Sequence, residues 1–99
     1  MTALSSEQRA RHHELAVLLQ SSLAAVQELA DGYEFEFPWS TGTYKALAEL
    51  TPLEHACCPF FNISIRIESE SNKLFWRLTG RDGVKPFIRA EFGAWFGSA

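Results

Sequence analysis

The sequence predicts one α+β domain, a two-layer sandwich in which three antiparallel strands form one layer and helices cover one face of it. Apolar residues recur at steps of three and four near both ends of the chain, as in amphipathic helices. Three short segments alternate apolar and polar residues, as in half-buried strands. A length of 99 residues with 46% hydrophobic content suits a single core, so we expect residues 1–99 to form one domain.

The first predicted element is a long helix over residues 5–30. Ser5 and Gln8 have the spacing of a capping box at its start. Its apolar stripe comprises Leu15, Leu18, Leu19, Leu23, Val26 and Leu29. Asp31-Gly32 would supply the left-handed residue that ends the helix. At 1.5 Å per residue, such a helix would be about 39 Å long.

The three predicted strands lie at residues 33–37, 61–68 and 74–79, and a polar turn joins the last two into a hairpin. Because successive side chains of a strand point to opposite faces, the alternation assigns each residue to the core or to solvent. The residues expected to be buried are Phe35, Phe37, Ile63, Ile65, Trp76 and Leu78. The residues expected to be exposed are Glu34, Glu36, Arg66 and Arg77.

Two further helical segments complete the predicted order α-β-α-β-β-α. Residues 43–60 predict two short helices or one helix kinked at Pro52, because Thr51, Pro52 and Glu54 have the spacing of a helix start. Residues 84–96 predict a closing helix that is rich in aromatic side chains. With the hairpin folded back, the strand order is 1-3-2, which resembles a ferredoxin-like fold without its last strand.

Composition and charge argue against two classes of partner. The formal net charge is −3 and the chain has no basic stripe, so we expect no nucleic-acid binding. Residues 1–13 lack the apolar core of a secretory signal peptide, and no apolar run approaches the ~20 residues of a membrane span. We therefore expect a cytoplasmic protein with reduced cysteines and no membrane association.

The segment Glu54-His55-Ala56-Cys57-Cys58-Pro59-Phe60 carries the residues best suited to chemistry. Helical spacing aligns Cys57 with the apolar stripe of its helix, which predicts a buried thiol. Cys58 lies about 100° away from Cys57 and shares a face with Glu54 and His55. The sequence thus predicts a ligand site at Glu54, His55, Cys57 and Cys58, with Cys58 as the accessible thiol.

Three interpretations of this segment stay open. Thiolates favour soft ions such as Hg(II), Cu(I) or As(III), so Cys58 and His55, helped by Cys57, would hold a soft metal ion or metalloid. Zinc is less expected, because a closed zinc site uses four ligands and the chain has no second cysteine pair. Cys58 would otherwise be a nucleophilic or redox thiol with His55 as its base, although a helix C-terminus disfavours thiolate. In the third interpretation both cysteines pack in the core of a non-enzymatic structural or interaction module.

The other histidines, His12 and His13, lie on the first predicted helix among Arg9, Arg11 and Glu14. Adjacent histidines on one helix diverge by about 100° and cannot share a metal ion. We expect a solvated helix face at this position.

Surplus apolar surface predicts self-association. Phe92, Trp95 and Phe96 give the last predicted helix more aromatic surface than a three-stranded sheet covers. The first predicted helix is also longer than the strands beneath it. We therefore expect a homodimer that forms through the first and last helices, with Trp95 as its anchor.

Two sequence blocks resemble a known family. They are Leu53-Glu54-x-x-Cys57-Cys58-Pro59-Phe60 and Leu78-Thr79-Gly80-x-x-Gly83-Val84-Lys85-x-Phe87. Together, as a CCPF motif and an LTG-x-x-GVK block, they resemble a small family of uncharacterised bacterial proteins. The resemblance covers nearly the whole chain, and it implies a single-domain extent without implying any activity.

Overall fold

Three helices and a four-stranded sheet build the domain, which a computed structural model describes over residues 4–97. In chain order these are α1 (Ser6–Gln20), β1 (Ala25–Leu29), β2 (Gly32–Pro38), α2 (Thr41–Cys57), β3 (Asn62–Glu68), β4 (Lys73–Thr79) and α3 (Val84–Glu91), followed by a short 3₁₀ helix at Gly93–Gly97. The α+β class is confirmed. The order α-β-β-α-β-β-α, however, contains one strand more than the sequence predicts.

The sheet is antiparallel throughout, with the strand order β1-β2-β4-β3. The predicted order of three strands is confirmed, because β4 lies between β2 and β3. The register places Phe35 opposite Trp76 and Trp76 opposite Ile65, so one apolar row crosses three strands. The edge beside β2, which the three-stranded prediction leaves open, is occupied by β1.

The predicted 26-residue helix is wrong beyond Gln20. The Ser21 hydroxyl donates a hydrogen bond to the Leu18 carbonyl at 2.6 Å, and a serine bonded in this way competes with the helical ladder. Ala25–Leu29 instead pairs with β2, Ala30 and Asp31 form the turn of that hairpin, and Gly32 begins β2. A Cβ at Gly32 would meet the Leu78 carbonyl oxygen at 1.9 Å, so the close approach of β2 to β4 requires glycine.

The segment around Pro52 forms part of one continuous helix, α2, rather than two short helices. Its start is capped by Ser40, whose hydroxyl accepts a hydrogen bond from the Thr43 amide at 2.9 Å. Thr51 does not cap a second helix. Its hydroxyl donates to the Leu47 carbonyl and accepts from the Trp76 indole at 3.0 Å, which satisfies the polar atom of a buried ring.

The core lies between one face of the sheet and the three helices. Phe35, Phe37, Trp76 and Leu78 are fully buried, as the alternation predicts. Ile63 and Ile65 are only half-buried, because β3 is an edge strand. From the helices, this core receives Leu15, Leu19, Ala46, Leu47, Leu50, Val84 and Ile88.

The prediction of an exposed Glu34 is wrong, since this residue is only 5% exposed. It lies on the other sheet face, opposite Arg77 of β4. Arg66 and Arg77 each donate a hydrogen bond to Glu34 Oε2 at 3.0 Å, and their side chains cover it. Two guanidinium groups thus replace the water that a strand carboxylate would otherwise contact.

The last predicted helix ends early, which corrects the proposed role of Trp95. Helix α3 ends at Glu91, and the 3₁₀ helix that follows folds Phe92 and Trp95 against the sheet. Trp95 is 2% exposed, and its indole donates to the Ala16 carbonyl at 3.1 Å. It is therefore a core residue and cannot anchor a dimer. Gly93 explains the break, because glycine is a poor helix former.

Within residues 4–97, every helix is too short or too polar to serve as a membrane span.

Candidate functional site

A cleft of about 330 Å³ opens where α1, the end of α2 and the end of α3 meet. His12, Cys57 and Glu91 line it, one residue from each helix. A larger cleft of about 430 Å³ lies beside Phe60 and Phe87, and no thiol or imidazole of the described chain lines that one. The smaller cleft therefore concentrates the groups that are suited to chemistry.

The inner part of the cleft contains a histidine between two carboxylates. His12 Nε2 lies 2.7 Å from Glu54 Oε1 and 3.1 Å from Glu91 Oε2. The side chains of Glu54 and His12 are 0% and 13% exposed, so both groups are withdrawn from water. Glu54 Oε2 is buried and has no hydrogen-bond partner among residues 4–97. A buried carboxylate oxygen without a donor is rare in folded proteins.

His12, Glu54 and Glu91 shift one another's pKa values. Hydrogen bonds first to Glu54 and then to Glu91 raise the pKa of His12 to about 9. Burial raises the pKa of Glu54, whereas the hydrogen bond to His12 lowers the pKa of Glu91. At neutral pH the imidazole is therefore protonated and Glu91 is ionised.

The two cysteines lie beside this group, at the end of α2. Their sulfur atoms are 3.7 Å apart, and Cys57 Sγ lies 4.0 Å from Glu91 Oε2. One donor atom from each of Cys57, Cys58 and Glu91 lies within 4.8 Å of the other two. Burial, followed for Cys58 by the charge of Glu54, raises the pKa of both thiols.

The structure reverses the expected roles of the two thiols. Cys57 lines the cleft, whereas Cys58 packs against the hydrophobic core. The prediction from helical spacing is wrong for these thiols because α2 ends at Cys57. Cys58 is the cap residue, with φ −130° and ψ 75°. Its side chain therefore leaves the direction that a continuing helix would give it.

Three of the four predicted site residues meet in the structure. Cys57 and Cys58 form one group with Glu91, and Glu54 forms another with His12 and the same Glu91, but His55 is exposed and belongs to neither group of converging donor atoms. A base role for His55 is therefore not supported by its position. Its neighbour Glu54 occupies the buried face of α2, about 100° away.

Sequence reasoning missed His12 and Glu91. The expectation of a solvated helix face is confirmed for His13, which is exposed, and is wrong for His12. A signal was present in the spacing. His12 precedes the buried Leu15 and Leu19 by three and seven residues, which places it on the buried stripe of α1. Glu91 likewise follows the buried Ile88 by three residues and precedes Phe92.

This arrangement disfavours thiol nucleophiles and favours cations. A nucleophilic cysteine needs a stabilised thiolate, yet burial and the nearby carboxylates raise the pKa of Cys57 and Cys58. A bound metal ion would stabilise the thiolates through its positive charge. The group thus brings together donor atoms of the types that bind metal ions.

Comparisons with protein-family models, with curated proteins and with solved structures found no match to the chain.

Proposed function

We propose that this domain binds a thiophilic divalent cation of the zinc and cadmium class at Cys57, Cys58 and Glu91. The observation that carries the proposal is the convergence of two sulfur atoms and a carboxylate oxygen within 4.8 Å of one another beside a cleft. The proposal keeps the thiophilic ligand that the sequence predicts and replaces His55 with Glu91 as the partner of the cysteines.

The sulfur separation supports a four-coordinate ion. Two thiolates bound to zinc at 2.3 Å with a tetrahedral angle lie about 3.8 Å apart, whereas a linear two-coordinate ion would place them about 4.6 Å apart. The observed separation is 3.7 Å. Zinc is less expected from the sequence because the chain has no second cysteine pair. Glu91 would supply a further ligand from another helix in place of such a pair.

Binding at this site would couple to protonation. Both thiols are protonated in the metal-free protein at neutral pH, because their pKa values are raised. An ion must displace these two protons, so its apparent affinity increases with pH. The ionised Glu91 needs no deprotonation and would provide the first attraction for the cation.

Titration with Cd(II) tests the proposal, because cadmium bound to thiolate absorbs in the ultraviolet through ligand-to-metal charge transfer. We expect a saturable absorbance in the wild type, no absorbance in the Cys57→Ser/Cys58→Ser variant, and at least about tenfold weaker binding in Glu91→Gln. His55→Gln is the matched control, because this histidine lies on the same helix and outside the cluster. Wild-type protein that gives no thiolate absorbance would refute the proposal.

We also propose a reducing compartment, the cytoplasm, and membership of the bacterial family that the CCPF and LTG-x-x-GVK blocks resemble. The two free thiols support the compartment, since a thiolate site needs reduced cysteines. Labelling of the cysteines in intact cells, with and without permeabilisation, tests the location. Thiols found oxidised in the cell would contradict it.

The expected homodimer stays a proposal in a revised form, without Trp95. Leu18 on α1 and Phe87 on α3 are 57% and 58% exposed, so the first and last helices each present a large apolar side chain. Light scattering at micromolar concentration should give the mass of two chains for the wild type and of one chain for Leu18→Glu. A wild type with the mass of one chain would refute the dimer.

A further inference from the structure

Glu91 belongs to two groups of metal-binding atoms at once. One is the Cys57, Cys58 and Glu91 group described above, and the other joins Glu91 to His12 and Glu54. In the second group, too, one donor atom from each residue lies within 4.8 Å of the other two. The same atom, Glu91 Oε2, lies 3.1 Å from His12 Nε2 and 4.0 Å from Cys57 Sγ, and a carboxylate can bridge two ions.

We infer that the cleft binds a second divalent cation at His12, Glu54 and Glu91, and that Glu91 bridges it to the ion on the cysteines. The inference rests on the proposed function, because the two sites share Glu91. It extends that function from one ion to a carboxylate-bridged pair and assigns a role to His12 and Glu54.

The distances between the donor atoms of the second group are close to those between ligands of a bound ion, which would replace the proton on His12 Nε2. Two ligands bound at about 2.1 Å lie about 3.0 Å apart at right angles and about 3.4 Å apart at the tetrahedral angle of zinc. His12 Nε2 lies 2.7 Å from Glu54 and 3.1 Å from Glu91, so small side-chain shifts would admit an ion. In the metal-free protein one N–H group faces two carboxylate oxygens and cannot donate a straight hydrogen bond to both.

The orphaned oxygen of Glu54 is an independent indication. Glu54 is 0% exposed, and its Oε2 atom has no hydrogen-bond partner among the described residues. Such an atom normally finds a donor, an ordered water or an ion. A cation beside Oε1 would neutralise the whole carboxylate and remove the need for a donor at Oε2.

Charge balance is compatible with two ions. The ligands Cys57, Cys58, Glu54 and Glu91 carry four negative charges when all are deprotonated, and two divalent cations cancel them. His12 is then a neutral imidazole. The protons of the thiols and of the His12 imidazolium leave to solvent as the ions bind. With a single ion on the cysteines, the protonated His12 offsets the charge of one of the two carboxylates.

Native mass spectrometry of the full chain with excess Zn(II) measures the stoichiometry. We expect two ions in the wild type and one in each of His12→Gln and Cys57→Ser/Cys58→Ser. Glu54→Gln repeats the His12 test with a smaller change of shape, in case His12→Gln does not fold. His55→Gln is the matched histidine control and should keep both ions, because His55 is exposed and outside the cluster.

The outcomes separate this inference from the proposed function. One ion in the wild type that is retained in His12→Gln and Glu54→Gln, but lost without the cysteines, would overturn the second site and leave the first intact. One ion that is lost in His12→Gln and Glu54→Gln, yet retained without the cysteines, would overturn the thiolate site and the bridged pair together. Two ions that persist in all variants would place zinc elsewhere and overturn both.

Discussion

Glu34 and Glu54 are both buried carboxylates, but they lie on opposite sides of the sheet and their surroundings differ. Glu34, 5% exposed, accepts hydrogen bonds from two arginines at 3.0 Å each. Glu54, 0% exposed, contacts one histidine at 2.7 Å and retains an oxygen without a partner. Two cations bind the first carboxylate through its Oε2 atom, whereas the second has a buried oxygen without a partner among the described residues.

Burial alone does not distinguish Glu34 from Glu54, because both are buried and it is their hydrogen-bond partners that differ. The arginines around Glu34 keep 44% of their side chains exposed, and Arg66 also stacks on Phe75 at 4.2 Å, so this group is a finished surface network. The group around Glu54 lies beside a cleft and next to two thiols. An unsatisfied buried acid beside such a cleft is a candidate functional group.

The largest expected effect on the free energy of unfolding comes from removing His12, the partner of Glu54. Removing one partner of Glu34 should have a much smaller effect. In metal-free protein, His12→Ala should lower the free energy of unfolding by about 3–5 kcal/mol, because it breaks a buried pair. Arg66→Ala should cost less than about 1 kcal/mol, since Arg77 still binds Glu34 and the pair is partly exposed. Urea denaturation with a chelator present measures both values.

A double variant sharpens this test. Adding Glu54→Gln to His12→Ala removes the unpaired charge, so we expect the double variant to regain part of the lost stability. Equal costs for His12→Ala and Arg66→Ala would show that the two groups do not differ as described.

The next largest effect is a pH dependence of the free energy of unfolding, which the His12 group should cause and the Glu34 group should not. The pKa of His12 rises from 6.5 to about 9 on folding, so its stabilising contribution is complete below pH 6.5 and is lost as the pH rises through 9. We expect metal-free wild type to lose roughly 2–3 kcal/mol across this interval. The arginines around Glu34 stay charged throughout it. Urea denaturation at several pH values should show this decline in the wild type and in Arg66→Ala, and not in His12→Gln.

Replacing each glutamate with glutamine should distinguish a structural role from a role in metal binding. The expected changes in the free energy of unfolding are smaller than that for His12→Ala. Glu34→Gln should cost about 1–2 kcal/mol, because the neutral amide weakens two charge-assisted hydrogen bonds. Glu54→Gln should cost less than about 1 kcal/mol, since burial already opposes the charge of Glu54. Thermal unfolding followed by circular dichroism measures both changes. Zn(II) stoichiometry should stay unchanged in Glu34→Gln, and a loss of ions there would contradict its assignment as structural.

The smallest expected difference lies between the two thiols. Cys57 lines the cleft and Cys58 packs against the core, so a thiol reagent should modify Cys57 a few-fold faster. Mass spectrometry of digested protein after brief labelling measures the two rates. Cd(II) should protect both cysteines in the wild type and in Glu34→Gln. Faster labelling of Cys58 would contradict the position found for its side chain.

Strict alternation made the inner strands predictable, because β2 and β4 pack one whole face on the core. The strand β1 was not predictable from local pattern. Ala25–Leu29 contains good helix formers, and Val26 and Leu29 also have helical spacing, but pairing with β2 overrides this preference. Asp31-Gly32 between two apolar segments was the signal that favoured a hairpin.

The candidate site was predictable only where its residues are neighbours in sequence. Glu54 and Cys57 lie within one turn of α2 and Cys58 follows directly, so the proximity of these residues follows from their positions in the sequence. His12 is 42 residues from Glu54, and Glu91 is 34 residues from Cys57. Contacts at such separations depend on how α1 and α3 pack against α2, which helical periodicity alone does not determine.

Anomalous diffraction at the zinc edge, from crystals of the full chain grown with Zn(II), tests the central claim most directly. The account predicts an anomalous peak about 2.3 Å from both Cys57 Sγ and Cys58 Sγ and within bonding distance of Glu91. A density map without a peak at this cleft, or with zinc bound only by exposed residues such as His55, would contradict it.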